Sequence, residues 1–339
     1  MKNIIDTYRL IICALILVNL CSCTKNVETE IFEKTFSVNG STINLNDAEK
    51  QFVGANALHT FGVGSNDMLS WNLNITREFV GNMNENPITG FAIQDTNNQF
   101  LHSLQTLVDD NRANGLVTIL CPFGWSGGTE NLLTGKFPTE TIFWNAYKEK
   151  LTQWANHFKS QSDVWIEVWN EPYRFDRTDG YTDEIWFTTM SELYSVIRNT
   201  GNENIILIPC AEQGQDESVL INRGQEFINN STNVLFDVHA YEKWLLETNV
   251  NIQNRIQNLQ DLNLPVFFGE VAPVNSGVLM NPEYFLNLIH AESISFSAWL
   301  WKYDETDQDA LLTTDGLPND LNNNNWGSLY QSIAMRSRL

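Results

Sequence analysis

Eight short apolar runs, separated by longer stretches of helical period, constrain what this chain can fold into more than any other feature. They occupy residues 52–57, 73–79, 116–121, 164–169, 204–210, 234–239, 265–270 and 294–301. Several are apolar almost without interruption, the pattern of a strand buried on both faces in a parallel sheet covered by helices. Between them, residues 100–113, 142–158, 185–198 and 252–262 repeat apolar positions at the three-to-four spacing of an amphipathic helix.

Alternating strands and helices fit either a closed barrel or an open doubly wound sheet. The polar residues separate the two. Asn56, Arg77, Glu171, His239, Glu270 and Trp301 stand at or just beyond the carboxyl ends of apolar runs. A closed barrel gathers all eight carboxyl ends on one rim, whereas an open sheet holds those of the first and last strands far apart. The fold expected is therefore α/β, a (β/α)8 TIM barrel. Ahead of the first run, residues 35–45 alternate around Asn39-Gly40, which predicts a short N-terminal β-hairpin lying over one end of the barrel.

The N-terminus reads as a targeting segment. Lys2 and Arg9 precede an apolar run over residues 10–20 that is too short to span a bilayer, and the run ends in Leu20-Cys21-Ser22-Cys23. This resembles a bacterial lipoprotein signal, with the small Ser22 before the Cys that is lipidated. The resemblance implies removal of residues 1–22, lipidation of Cys23, a polar tether over 23–34 and a catalytic domain over 35–339. It places the protein in the bacterial cell envelope, lipid-anchored to the outer membrane or cell surface. Cys121 and Cys210 each end an apolar run and read as small buried hydrophobes.

A formal net charge of −21 argues against nucleic acid and anionic membrane surfaces, because phosphate binding needs clustered Lys and Arg. Membrane contact is expected only through the lipid anchor. The same charge favours a neutral polymer over an acidic polysaccharide. The 11 Trp and 19 Phe suit sugar binding, since an aromatic face stacks on the CH-rich face of a sugar.

Two carboxylates carry the chemistry. The run ending Val168-Trp169-Asn170-Glu171-Pro172 stops in a Glu followed by a Pro that cannot continue a ladder. The run Val266-Phe267-Phe268-Gly269-Glu270 also ends in Glu, with Gly before it to allow close approach. Either Glu alone reads as a loop charge. Two on one rim are what acid/base and nucleophile chemistry at an anomeric carbon requires.

From about residue 52 to the C-terminus the chain resembles glycoside hydrolase family 5, the cellulase and mannanase family of retaining (β/α)8 barrels. The resemblance rests on five motifs in order: Arg77 in Asn74-Ile75-Thr76-Arg77, Asn170-Glu171-Pro172, His239-Ala240-Tyr241, Gly269-Glu270, and Trp301 with Trp299 on the eighth strand. It implies Glu171 as acid/base, Glu270 as nucleophile and Trp301 as floor of the cleavage subsite. Arg77 would keep a carboxylate of the pair ionised and oriented. Asn170 would donate to the sugar 2-hydroxyl. His239 and Tyr241 would position Glu270 and the substrate. One departure stands out: where many relatives carry His after the third strand, Leu120-Cys121-Pro122-Phe123 puts Phe123, which bears on which sugar fits.

Trp125, Tyr173 and Trp244, on loops at the expected rim, are further candidates for stacking a sugar. Asp304, Asp307 and Asp309 read as a solvated loop rather than a calcium site, and no zinc spacing, phosphate loop or dinucleotide fingerprint occurs, so no cofactor is expected. The function expected is that of a monomeric, endo-acting, retaining β-1,4-glycan hydrolase on a neutral plant polysaccharide. A non-catalytic glycan-binding lipoprotein on the same barrel, or a transglycosylase, is the alternative.

Overall fold

In the computed structural model, which describes residues 34–303, 307–321 and 325–336, all eight apolar runs form strands of one closed parallel barrel. A three-strand antiparallel meander comes first: β1 (Phe36–Asn39), β2 (Thr42–Leu45) and β3 (Ala48–Glu49). The barrel strands are β4 (Val53–Ala57), β5 (Ile75–Val80), β8 (Val117–Pro122), β9 (Val164–Glu167), β10 (Ile206–Pro209), β11 (Val234–Ala240), β12 (Val266–Val271) and β15 (Ser295–Ala298). They follow one another in chain order around the barrel, which closes where Phe296 pairs with Val53 and Ala298 with Ala55. Two small hairpins decorate the loops: β6 (Ile93–Gln94) with β7 (Phe100–Leu101), and β13 (Val274–Asn275) with β14 (Val278–Leu279).

The helices are α1 (Leu104–Ala113), α2 (Trp144–Phe158), α3 (Asp183–Arg198), α4 (Ser218–Asn229), α5 (Glu242–Leu245), α6 (Asn249–Asp261), α7 (Glu283–Ala291) and α8 (Trp326–Ala334). Ser103, Thr182 and Thr248 cap α1, α3 and α6 by accepting from the backbone N–H three residues on. The alternation is incomplete at one point: β4 and β5 are joined by two 3₁₀ turns rather than an α-helix. Gly62 at φ 94° and Asn72 at φ 58° end those turns in the left-handed conformation, which cannot propagate a helix. Among the described residues no helix is long and apolar enough to cross a membrane.

Inward side chains fill the amino-terminal half of the barrel with Ile75, Ile119, Trp165, Leu207, Leu235 and Phe267. The meander closes that end: Phe36 meets Trp165 edge-on at 5.7 Å and Ile43 joins the same cluster. The expected hairpin is thus a plug at the end opposite the chemistry, extended by β3. The signal, Cys23 and most of the tether lie outside the described residues.

The carboxyl-terminal half is polar, and one irregularity sets its geometry. The pairing of β11 with β12 shifts register between Val238 and His239, so that Asp237 faces Phe267 but His239 faces Glu270. Gly269 is the extra residue of this bulge. A Cβ there would lie 2.2 Å from Asp237 Oδ1, an acceptor that takes the Gly269 N–H at 2.7 Å. The bulge brings Glu270 to the inner face beside His239.

Candidate active site

Arg77 stands at the centre of the rim, wholly buried on β5. Its Nε and Nη2 grip Glu167 Oε2 and Oε1 at 2.7 and 2.8 Å. Nη1 donates to Asn56 Oδ1 and to Glu270 Oε1, both at 2.7 Å, and Nη2 to Asn170 Oδ1 at 2.9 Å. Asn56 in turn donates to the carbonyls of Gly269 and Ala298, tying Arg77 to the strands on the other side of the closure. Such a buried cation is tolerable because every donor direction ends on an acceptor.

Glu270 is held at both oxygens, Oε1 by Arg77 and Oε2 by the Tyr241 hydroxyl at 2.6 Å. Burial pushes its carboxyl above the usual carboxylate range, against the pull of His239, Arg77 and Tyr241 toward the charged form. Burial, the Glu270 charge and the Glu171 charge all push the Tyr241 phenol well up, so it stays a donor.

Glu171 lies in the loop after β9 with φ 50°, a left-handed conformation that costs a non-glycine residue about 1 kcal/mol or more. The loop is pinned around it. Gly135 N–H donates to the Glu171 carbonyl, Tyr173 N–H to Lys136 and Gln213 N–H to Pro172. His239 Nδ1 lies 2.9 Å from Glu171 Oε1 and 3.5 Å from Glu270 Oε2, while Nε2 lies 3.3 Å from Asp237 Oδ2. Burial alone would lower the His239 pKa, but the carboxylates of Glu270, Asp237 and Glu171 raise it well above the ordinary value. A carboxylate oxygen of Glu171, a ring nitrogen of His239 and a carboxylate oxygen of Glu270 lie within 4.8 Å of one another. Carboxylate oxygens this close suit the two carboxyls of a retaining site, about 5–5.5 Å apart.

Two members of this network were not singled out from the sequence, Glu167 and Asp237. Burial drives the Glu167 carboxyl up to about 7. Asp237 would rise with burial as well, but the charges of His239 and Arg77 hold it below the usual range. A signal for both exists. Asp237, His239 and Tyr241 alternate along one strand face, and Glu167 follows the inward Trp165 by two. An ionisable side chain on an inward face needs a partner there.

The aromatic expectations divide. Trp301 is 1 % exposed and packs edge-on against Trp71 at 5.2 Å, so it cannot floor a sugar site. The reason is that β15 ends at Ala298; beyond it the period-two rule that put Trp299 and Trp301 on one face no longer applies. Trp299 is the half-buried one, stacked on Phe123 at 5.3 Å, which stacks on Phe79 at 4.0 Å. Phe123 also lies under the Arg77 guanidinium, 5.4 Å away. Trp244 is buried on α5 between Phe268 and Phe285, with Arg255 over its ring at 3.6 Å, and faces no cleft. Tyr173 is likewise buried, against Phe137 and Tyr181. Trp125 remains half-buried, parallel to Phe143 at 5.1 Å.

Asn170, expected to offer its amide to a sugar hydroxyl, is buried and donates from Nδ2 to Thr134 Oγ1 at 3.1 Å. Cys121 and Cys210 are free and buried, and burial pushes both thiols up. Of the acidic loop, Asp304 lies outside the described residues. Asp309 is not freely solvated: it accepts from Val274 N–H, and burial together with Asp307 raises its carboxyl to about 7.

The family model described as cellulase (glycosyl hydrolase family 5) matches residues 39–305. A mannan endo-1,4-beta-mannosidase of Cellvibrio japonicus is 24% identical over 210 residues, 61% of this chain and 46% of that protein. Endoglucanase EG-II of Hypocrea jecorina is 26% identical over 125 residues, 34% of this chain and 27% of that protein. The chain thus spans less than half the length of the curated relatives it matches. Among solved structures, a β-mannanase from Thermomonospora fusca shares the fold with a TM-score of 0.70 at 16% identity, over 89% of this chain and 97% of that one.

Proposed function

Because the chain belongs to glycosyl hydrolase family 5, we propose that it is an endo-acting β-1,4-glycan hydrolase that cleaves neutral plant polysaccharide with retention of configuration. The observation that carries the reading is the pair Glu171 and Glu270, within 4.8 Å of each other through His239, with Glu270 gripped at both oxygens.

In the first step the Glu270 carboxylate attacks the anomeric carbon while the Glu171 carboxyl gives its proton to the departing glycosidic oxygen. A glycosyl ester on Glu270 forms and the glycosidic C–O bond breaks. Glu171, now a carboxylate, takes a proton from water as that water attacks the same carbon. The ester opens, Glu270 regains its charge and Glu171 its proton. Arg77 and Tyr241 hold Glu270 for in-line attack and stabilise its charge when it leaves. His239, between the two carboxyls, bonds Glu171 and fixes its orientation. Glu167 and Asp237 balance the charges of Arg77 and His239, and are positioning residues.

The relative matched over the greater length is named a mannan endo-1,4-beta-mannosidase and the other an endoglucanase, so a β-mannan is the first substrate to try and a β-glucan the second. A non-catalytic binding role is disfavoured because both carboxylates are present with their supports. The proposal includes secretion and anchoring through Cys23 to the bacterial envelope, with the domain acting as a monomer. The test is product analysis on mannans, glucans and xylans by chromatography. Internal cleavage of one neutral polymer to a ladder of oligosaccharides is expected. No release from any neutral polymer, or release only from a uronic-acid polymer, would overturn the reading.

A further inference from the structure

Arg77 points into the barrel, so its neighbour Glu78 points out of it, toward α1. Glu78 is wholly buried there, and its Oε1 lies 2.7 Å from Asn111 Nδ2 on α1 and 2.5 Å from His59 Nδ1. A carboxylate only accepts, so Nδ1 of His59 carries the hydrogen and Nε2 is left with its lone pair. His59 is 5 % exposed, and that Nε2 is buried with no hydrogen-bond partner among the described residues. The hydrolytic reaction does not use it, and a buried polar atom left unmet is costly.

His59 lines a cavity of about 90 Å³ between the turn after β4 and α1, together with Ser65, His102 and Asp110. One water needs only about 10–15 Å³ of such space, so there is room for a partly hydrated ion. The backbone brings a second imidazole to the same place. His102 N–H donates to the carbonyl of Thr60, the residue next to His59, at 3.0 Å, and Thr60 Oγ1 donates to the Phe79 carbonyl at 2.9 Å. A Cβ on Gly62 would lie 3.6 Å from His102 Nε2, so that nitrogen faces the turn that carries His59. Asp110 is exposed at the mouth. Among the described residues, the sets of three ionisable ligands already gathered within 4.8 Å belong to the catalytic centre. Here one ligand is fixed, and the half-buried His102 and exposed Asp110 close onto it by rotation of their side chains.

We propose that His59 and His102 bind a divalent cation of the zinc class in this cavity, with Asp110 and water completing its coordination. Imidazole nitrogen suits zinc and its neighbours in the transition series, whereas calcium and magnesium take oxygen ligands. Glu78 behind His59 is the carboxylate–histidine arrangement that fixes a ligating ring and raises its basicity. The ion clamps the turns between β4 and β5 to α1, at the one connection of the barrel that lacks its helix. Its effect is on stability, and it takes no part in cutting the glycosidic bond. The two histidines lie far apart in the sequence, so no ligand spacing announces the site.

Zinc chloride titrated into the full chain by calorimetry, with a thermal melt at each zinc level, tests this independently of any glycosidase activity. The wild type binds zinc, and its melting midpoint rises with zinc concentration. His102→Ala keeps the zinc-free midpoint and loses at least about tenfold in zinc affinity, with the midpoint rise lost alongside. Glu78→Gln keeps an acceptor for His59 but not the charge, and weakens zinc binding by about 10- to 100-fold. Each titration is repeated with Glu171→Gln, so that zinc taken up at the catalytic centre is told apart; that substitution leaves the affinity of this site unchanged. A wild type without zinc-dependent heat or midpoint rise overturns the proposal, as does unchanged affinity in either cavity variant. Zinc binding that disappears with Glu171→Gln also overturns it, by placing the ion at the catalytic pair. Should Glu78→Gln fail to fold, His102→Ala decides.

Discussion

Glu270 takes a hydrogen bond on each oxygen, and the two donors differ in what they do to its charge. Arg77 is fixed by Glu167, Asn56 and Asn170, so its removal would loosen the whole centre; Tyr241 reaches Glu270 through a single hydroxyl. Burial already raises the Glu270 pKa, and its ionised form is the proposed nucleophile. The acid limb of kcat/KM should therefore fall at higher pH than an ordinary Glu would give. Tyr241→Phe deletes a donor to the ionised form, raises the pKa further and moves that limb to still higher pH. A pH–rate profile checks it, and a limb that moves down contradicts the assignment. Glu171→Ala should lose most activity on substrates with poor leaving groups, by about 10²-fold or more, and far less on aryl glycosides that need no proton. At this scale the sequence was legible wherever a residue ended a strand inside a motif. Glu167 and Asp237 carry no motif. Trp301 misled because its strand stops three residues earlier, and Trp244 because a loop position says nothing of whether a ring faces the cleft or the core.

The bulge in β12 is the element on which the centre depends, and Gly269 is the residue that permits it. Gly269→Ala would drive a methyl into Asp237 and shift either that carboxylate or Glu270. Displacements near 1 Å can cost about 10²-fold in rate. Gly269→Ala should thus lose activity out of proportion to stability, read as kcat against the urea midpoint. The plug at the other end should behave oppositely. Phe36→Ala removes a ring packed on Phe52 and Trp165 and should cost ~3 kcal/mol of stability while kcat/KM of the folded fraction holds. All eight barrel strands were readable because burial on both faces leaves continuous apolar runs. The missing first helix was not, because Gly62, Gly64 and Asn72 interrupt a stretch that still carries the spaced apolar residues of one. Nor could the bulge be read: a Gly before a Glu is compatible with close approach of any kind.

Across the whole molecule, a net charge of −21 supports the uncharged polymer proposed as substrate. Binding through stacked rings releases no counterions, so KM on that polymer should change little between low and high salt, whereas a steep rise with salt would point to charged recognition. A 2-deoxy-2-fluoro glycoside with a good leaving group shows which carboxylate becomes covalent. Such a substrate forms the glycosyl ester faster than water clears it, and peptide mass spectrometry then locates the sugar. One glycosyl unit per protein is expected, on Glu270, with turnover lost in step with labelling. Label on Glu171, or turnover without any covalent adduct, would contradict it.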